Sequence, residues 1–207
     1  MSVYLTEEEQ IEQLKRAWKR YGSLITTTVS VILIAYMSWT WWSGHVAARQ
    51  AQASGAYQAL VKGVQAQDAT AIAASADLLM TQHTSSNYAQ LAAMQLAKQA
   101  LNNSKPVKAK SHLEWVIDHA TTPLFADLAR LRLARLISDE KKYTAALSIL
   151  DKIESKLFFP LLAELKGDIF AGQGNVVAAK ENYQKALAAQ TQAGYRRLVE
   201  MKRDNLG

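Results

Sequence analysis

The chain has 207 residues, a net charge of +6, 49% hydrophobic residues, only 3 Pro and no Cys. The apolar content excludes wholesale disorder, and the absence of cysteine excludes a disulfide scaffold, a thiol nucleophile, cysteine-based zinc sites and a lipoprotein anchor. Abundant Ala with few Pro favours helices over sheets, so the expected class is all-α.

The first 20 residues read as a short amphipathic helix. Thr6 is placed as N-cap with Glu9 three residues on, a capping box. Acids Glu7, Glu8, Glu9 and Glu12 precede bases Lys15, Arg16, Lys19 and Arg20, which matches the helix macrodipole. Ile11, Leu14 and Trp18 form one narrow apolar stripe, suited to resting on the inner headgroups or to docking a cytosolic partner. These acids and bases cancel, so the whole +6 lies beyond Trp42. A mildly basic domain suits acidic partners or anionic surfaces, and equally serves ordinary solubility.

No charged residue occurs from Tyr21 through Gly44. Residues 21–42 are expected to form a transmembrane helix. Leu24 to Trp42 alone spans roughly 28 Å as a helix, close to the hydrocarbon thickness of a bilayer. Leu24, Ile25, Val29, Val31, Ile32, Leu33 and Ile34 supply its apolar bulk. A soluble core helix of this length carries a polar stripe; this one has only hydroxyls, which can bond back to preceding carbonyls. Trp39, Trp41 and Trp42 close the span where amphipathic rings prefer the headgroup level. Lys15, Arg16, Lys19 and Arg20 crowd the near side, whereas Arg49 and Lys62 are the only bases shortly after it. That asymmetry predicts a cytoplasmic N-terminus, with residues 43–207 across the membrane. "AQA" at 51–53 has the form of a signal-peptidase site, but the apolar segment is too long and ends too early for it, so an uncleaved anchor is expected.

The remainder repeats. Gly167, Phe170, Ala179, Tyr183 and Ala186 show the small–aromatic…small–aromatic–small spacing of a tetratricopeptide repeat. Thirty-three residues earlier stand Ala134, Ile137, Ala146, Leu150 and Ile153; a further 37 back stand Ala97, Ala100, Ala109, Leu113 and Val116. Small residues let the two helices of a unit cross closely, and larger ones fill the groove between units. Repeats are thus expected at about 88–120, 124–157 and 161–190, with turns at "NNSKP", "SDEKK" and "GQGN". Residues 46–86 are expected to form a divergent extra pair that aligns poorly, and 191–207 a capping helix. The fold class expected is a single transmembrane helix followed by a tetratricopeptide-repeat-like α-solenoid.

"EEEQIEQLKRAWKRYG", the "AYQAL" after the anchor and the C-terminal "LVEMKRDNL" resemble the YfgM family, bacterial inner-membrane proteins described as ancillary subunits of the Sec translocon. The resemblance implies a place beside SecYEG, and a periplasmic domain that works with the membrane-anchored chaperone PpiD on emerging secreted or outer-membrane polypeptides. It carries no catalytic residues.

The residues themselves offer little chemistry. His112 and His119 are seven apart, too sparse a set for a metal centre. "GQGN" lacks the Lys and Ser/Thr of a phosphate loop, and there is no G-x-S-x-G elbow. The basic residues are scattered, and a periplasmic domain does not meet the nucleoid, so nucleic acid is not an expected partner. No enzyme activity, cofactor, metal or small-molecule ligand is expected. An interaction scaffold is, with the first helix of each unit lining a concave face through Leu91, Met94, Lys98, Leu131, Arg135, Leu161 and Asp168. The alternatives are a regulator that reports through Thr6–Arg20, and an envelope or division scaffold.

Overall fold

A computed structural model describes residues 7–190 and 192–207, without the side chains of residues 7–10, 13, 14 and 17. Among the described residues all regular structure is helical. The chain divides into two compact units, residues 1–51 and 52–207.

The described residues of the first unit lie in helix α1 (Glu7–Ala66). Every side chain from Leu24 to Trp42 is exposed, including Ile34, Trp39 and Trp41. The helix is long and apolar enough to cross a membrane by length and composition, with a mean hydropathy of 1.5 in its apolar window. Its hydroxyls turn inward on the backbone: Thr27 Oγ1 donates to the Ser23 carbonyl and Thr28 Oγ1 to that of Leu24, both at 2.7 Å. Thr26 and Thr40 bond back in the same way, so these four threonine hydroxyls have partners of their own within the helix. Ile11 and Trp18 are exposed, while the side chain of Leu14 and the Thr6–Glu9 capping box lie outside the described residues.

The second unit is a row of helical hairpins. The last stretch of α1 packs with α2 (Ala69–Gln82), α3 (Asn87–Asn102) with α4 (Pro106–His119), α5 (Pro123–Asp139) with α6 (Tyr143–Leu150), and α7 (Phe159–Gly172) with α8 (Val176–Ala189). Helix α9 (Ala193–Asp204) closes against α8. Start signals follow local chemistry. The side chains of Asp68, Ser86 and Asn175 accept from backbone N–H groups in the first turns of α2, α3 and α8, and proline opens α4, α5 and α7.

The four hairpin turns share one geometry. Gln67, Ser104, Lys141 and Gly174 all have positive φ, between 55° and 76°. The next N–H in each case donates to the carbonyl five residues back: Asp68 to Gly63, Lys105 to Ala100, Lys142 to Ile137 and Asn175 to Phe170, at 2.8–3.2 Å. This is the Schellman stop, which satisfies carbonyls that the helix end would otherwise orphan.

The repeat positions are the core. Ala97, Ala109, Ala134, Ala146, Gly167, Ala179, Tyr183 and Ala186 are buried, as are Leu113, Val116 and Leu150; Phe170 and Ile153 are half-buried. In the first pair, a 37-residue step back from Ala97, Ala100, Ala109, Leu113 and Val116 gives Leu60, Gly63, Ile72, Ala76 and Leu79, all buried, so burial keeps the period of the repeat although the residue types diverge. Large and small residues have exchanged places there, Leu for Ala at 60 and Ala for Leu at 76.

Candidate functional site

The first helices α3, α5 and α7 build one face of the second unit. Between α3 and α5 runs a groove of about 410 Å³. Met94, Ala97 and Leu101 from α3, Leu113 from α4 and Leu136 from α5 give it an apolar floor. Lys98, Arg132, Arg135 and Asp139 line it as well. Helical spacing produces this set. Lys98 lies four after Met94 and three before Leu101, while Arg132, Arg135, Leu136 and Asp139 recur at i, i+3, i+4 and i+7 along α5. Lys98, Arg132 and Arg135 are exposed, and among the described residues none of the three forms an ion pair. Their aliphatic stems can lie along the apolar floor while the charges stay in water.

On the fourth pair the same face has the opposite sign, and the chain covers it itself. Asp168 holds on α7 the register position of Lys98 on α3 and Arg135 on α5. Lys202 of α9 donates to both Asp168 oxygens at 2.9 and 2.8 Å, and to Glu164 Oε1 at 2.7 Å. Glu164 is only 4% exposed, so this carboxylate needs its ammonium partner. Tyr183 donates its hydroxyl to Asp168 at 2.8 Å, and Tyr195 donates to the Pro160 carbonyl at 2.9 Å. Burial lowers the proton affinity of Lys202, but its hydrogen bonds to Asp168 and Glu164 outweigh that and leave its pKa raised. Burial raises both phenols, Tyr183 and Tyr195, and the neighbouring Asp168 and Glu164 carboxylates raise them further.

The residues assigned to the concave face thus separate into different roles. Lys98 and Arg135 are exposed on the groove, and Met94, 4% exposed, is part of its floor. Leu131 is packed in the main core, Leu91 and Leu161 are half-buried, and Asp168 is occupied by Lys202. Sequence spacing alone did not single out Leu101, Arg132, Leu136 and Asp139. Their signal was the i, i+3, i+4, i+7 pattern on α5, read against a facing helix.

Other polar clusters are structural. Asp127, 1% exposed, accepts from Arg130 at 2.8 Å and from the Ser155 N–H at 3.0 Å, which pins α5 to the approach to α7. Gln90, fully buried, donates to the carbonyls of Thr84 and His119. His119 stacks on Trp115 with ring centroids 4.5 Å apart, and burial followed by the Lys108 charge lowers the pKa of His112. Among the described residues no three His, Asp or Glu side chains are grouped so as to hold a metal ion. "GQGN" is the turn between α7 and α8.

The family model for the tetratricopeptide repeat-like domain matches residues 15–207. Among curated proteins, the ancillary SecYEG translocon subunit of Neisseria gonorrhoeae is 29% identical over 208 residues, covering 100% of both chains. The protein of the same name from Haemophilus influenzae is 29% identical over 206 residues, again across 100% of both. The Escherichia coli protein of that name is 25% identical over 206 residues, covering 100% of this chain and 99% of its own. No solved structure matches the chain.

Proposed function

Because this chain belongs to the tetratricopeptide repeat-like domain family, we propose that it works by binding, as a membrane-anchored, non-enzymatic accessory of the Sec translocon. The observation that carries this reading is the end-to-end similarity, anchor segment included, to relatives named ancillary SecYEG translocon subunits. In this reading residues 21–42 span the inner membrane, with Lys15, Arg16, Lys19 and Arg20 on the cytoplasmic side and residues 43–207 in the periplasm. The row of hairpins presents its first-helix face to a partner, either a PpiD-like membrane-anchored chaperone or a polypeptide leaving the channel. The architecture supports such a role. Helical repeats offer long surfaces made of many small contacts.

The test is photo-crosslinking in intact cells from a benzoyl-phenylalanine placed at position 98 or 132. Translocon subunits or periplasmic chaperones are the expected adducts; adducts with cytosolic proteins alone reject the reading. Orientation is tested separately by a single cysteine introduced at an exposed position such as Lys185. A thiol reagent that cannot cross the membrane should label it in intact spheroplasts.

A further inference from the structure

The groove between α3 and α5 is apolar at its base, and among the described residues its three cations have no ion-pair partner. From the register of the repeat, we infer that it receives an acidic, leucine-containing segment of a partner polypeptide, with carboxylates on Lys98, Arg132 and Arg135 and an apolar side chain against Met94, Leu101 and Leu136. The inference rests on the binding role proposed above and names the chemistry of the bound segment.

Three observations carry it. First, Lys98, Arg132 and Arg135 line one groove together with a single carboxylate, Asp139, and among the described residues none of these four is in an ion pair. Cations left unmatched beside an apolar floor select an anionic occupant through charge complementarity. Second, the floor is hydrophobic and includes Met94, whose flexible thioether adapts to different side chains. An inorganic anion makes no use of such a floor. Third, elsewhere in the row the same register position is already matched in charge. On the fourth pair the register position is Asp168, and α9 meets it and Glu164 with Lys202, while Tyr195 of the same helix bonds to Pro160. At Lys98 and Arg135 the sign of that position is reversed, so the matching segment carries carboxylates where α9 carries lysine.

The experiment uses the full chain in lipid nanodiscs. Short fluorescein-labelled peptides serve as probes: one of Glu and Leu in equal parts, one of Lys and Leu, and one of Glu and Ser. Fluorescence anisotropy should show saturable binding of the Glu/Leu peptide and at least about tenfold weaker binding of the other two. The triple variant Lys98→Glu, Arg132→Glu, Arg135→Glu should lose that preference at least about tenfold. A matched reversal at the exposed Lys152, Lys185 and Arg197 should retain it, with melting curves confirming that both variants fold. Equal binding of the three peptides, or an unchanged affinity in the groove variant, overturns the inference; so does failure of the groove variant alone to fold if single reversals at Lys98, Arg132 and Arg135 leave Glu/Leu binding intact. Co-isolation of translocon subunits with the unmodified chain is scored separately. If it persists without any peptide preference, the groove assignment fails and the translocon role stands. If it is absent, the translocon role fails whatever the groove binds.

Discussion

Gly167 lies directly under the ring of Tyr183: a Cβ at Gly167 would stand 2.6 Å from both Cδ1 and Cε1 of the tyrosine. The ring is held in place from its far end, where its hydroxyl donates to Asp168. The α7–α8 crossing is therefore set by the absence of one side chain and the fixed position of another.

Gly167→Ala should destabilise the protein by about 1–3 kcal/mol, and Gly167→Leu by more, because the ring has no room to yield. The same replacement at Gly55 meets nothing within 4 Å. There it removes only the backbone freedom of a helical glycine and should stabilise by roughly 0.5–1 kcal/mol. Urea titrations of both variants check the opposite signs.

The turns give a second pair of opposed effects. Ser104 and Lys141 adopt left-handed backbone at φ 56° and 60°, a conformation that costs a residue with Cβ roughly 1–2 kcal/mol. Ser104→Gly and Lys141→Gly should each raise the urea midpoint slightly, since the relief is partly cancelled by glycine's greater freedom when unfolded. Gly174→Ala, at φ 76°, should lower it by about 1 kcal/mol.

Lys202→Met strands Glu164 in a nearly closed environment. Removing one partner of a buried pair costs about 3–5 kcal/mol when both are fully buried; with Lys202 29% exposed the loss should be roughly 1–3 kcal/mol. Adding Glu164→Gln should recover part of it, because the stranded charge is then gone. Hydrogen exchange should locate the loss in α7, α8 and α9 before the other hairpins.

Alkaline pH should release the same region. Lys202 binds its proton more tightly in the folded chain than at its ordinary 10.5, and Tyr183 and Tyr195 more tightly than at 10.0. The folded state thus holds more protons than the unfolded one above about pH 10. The stabilisation is complete below that point and is lost as pH rises toward the folded values. Denaturation followed through tyrosinate absorbance should show Tyr183 and Tyr195 ionising with unfolding, not ahead of it.

Much of this fold is legible in local spacing. Ala97, Ala109, Ala134, Ala146, Ala179 and Ala186 sit at crossings where only small residues fit, so the repeat carries its own signature. The first pair escaped because Leu60 and Ala76 exchange volumes across the crossing, and a pattern defined by residue type at each position does not register such an exchange. The face residues were only half legible. Helical period places Leu131 and Arg135 on α5, but whether a side chain ends in the core or on the groove depends on the neighbouring hairpin. The engagement of Asp168 by Lys202 joins residues 34 apart, and no spacing rule announces it. The Asp127 bond to Ser155 spans 28 residues and is hidden for the same reason.

In the second unit the most extensive packing is between helices that follow one another in the chain. A chain wired in this way can settle as it emerges, each hairpin finding its partner soon after it is made. The ammonium of Lys202 lies on α9 and is made only after the whole of α7 and α8. Until then Glu164 lacks this counter-charge, so the α7–α8 hairpin is fully secured only once α9 is in place.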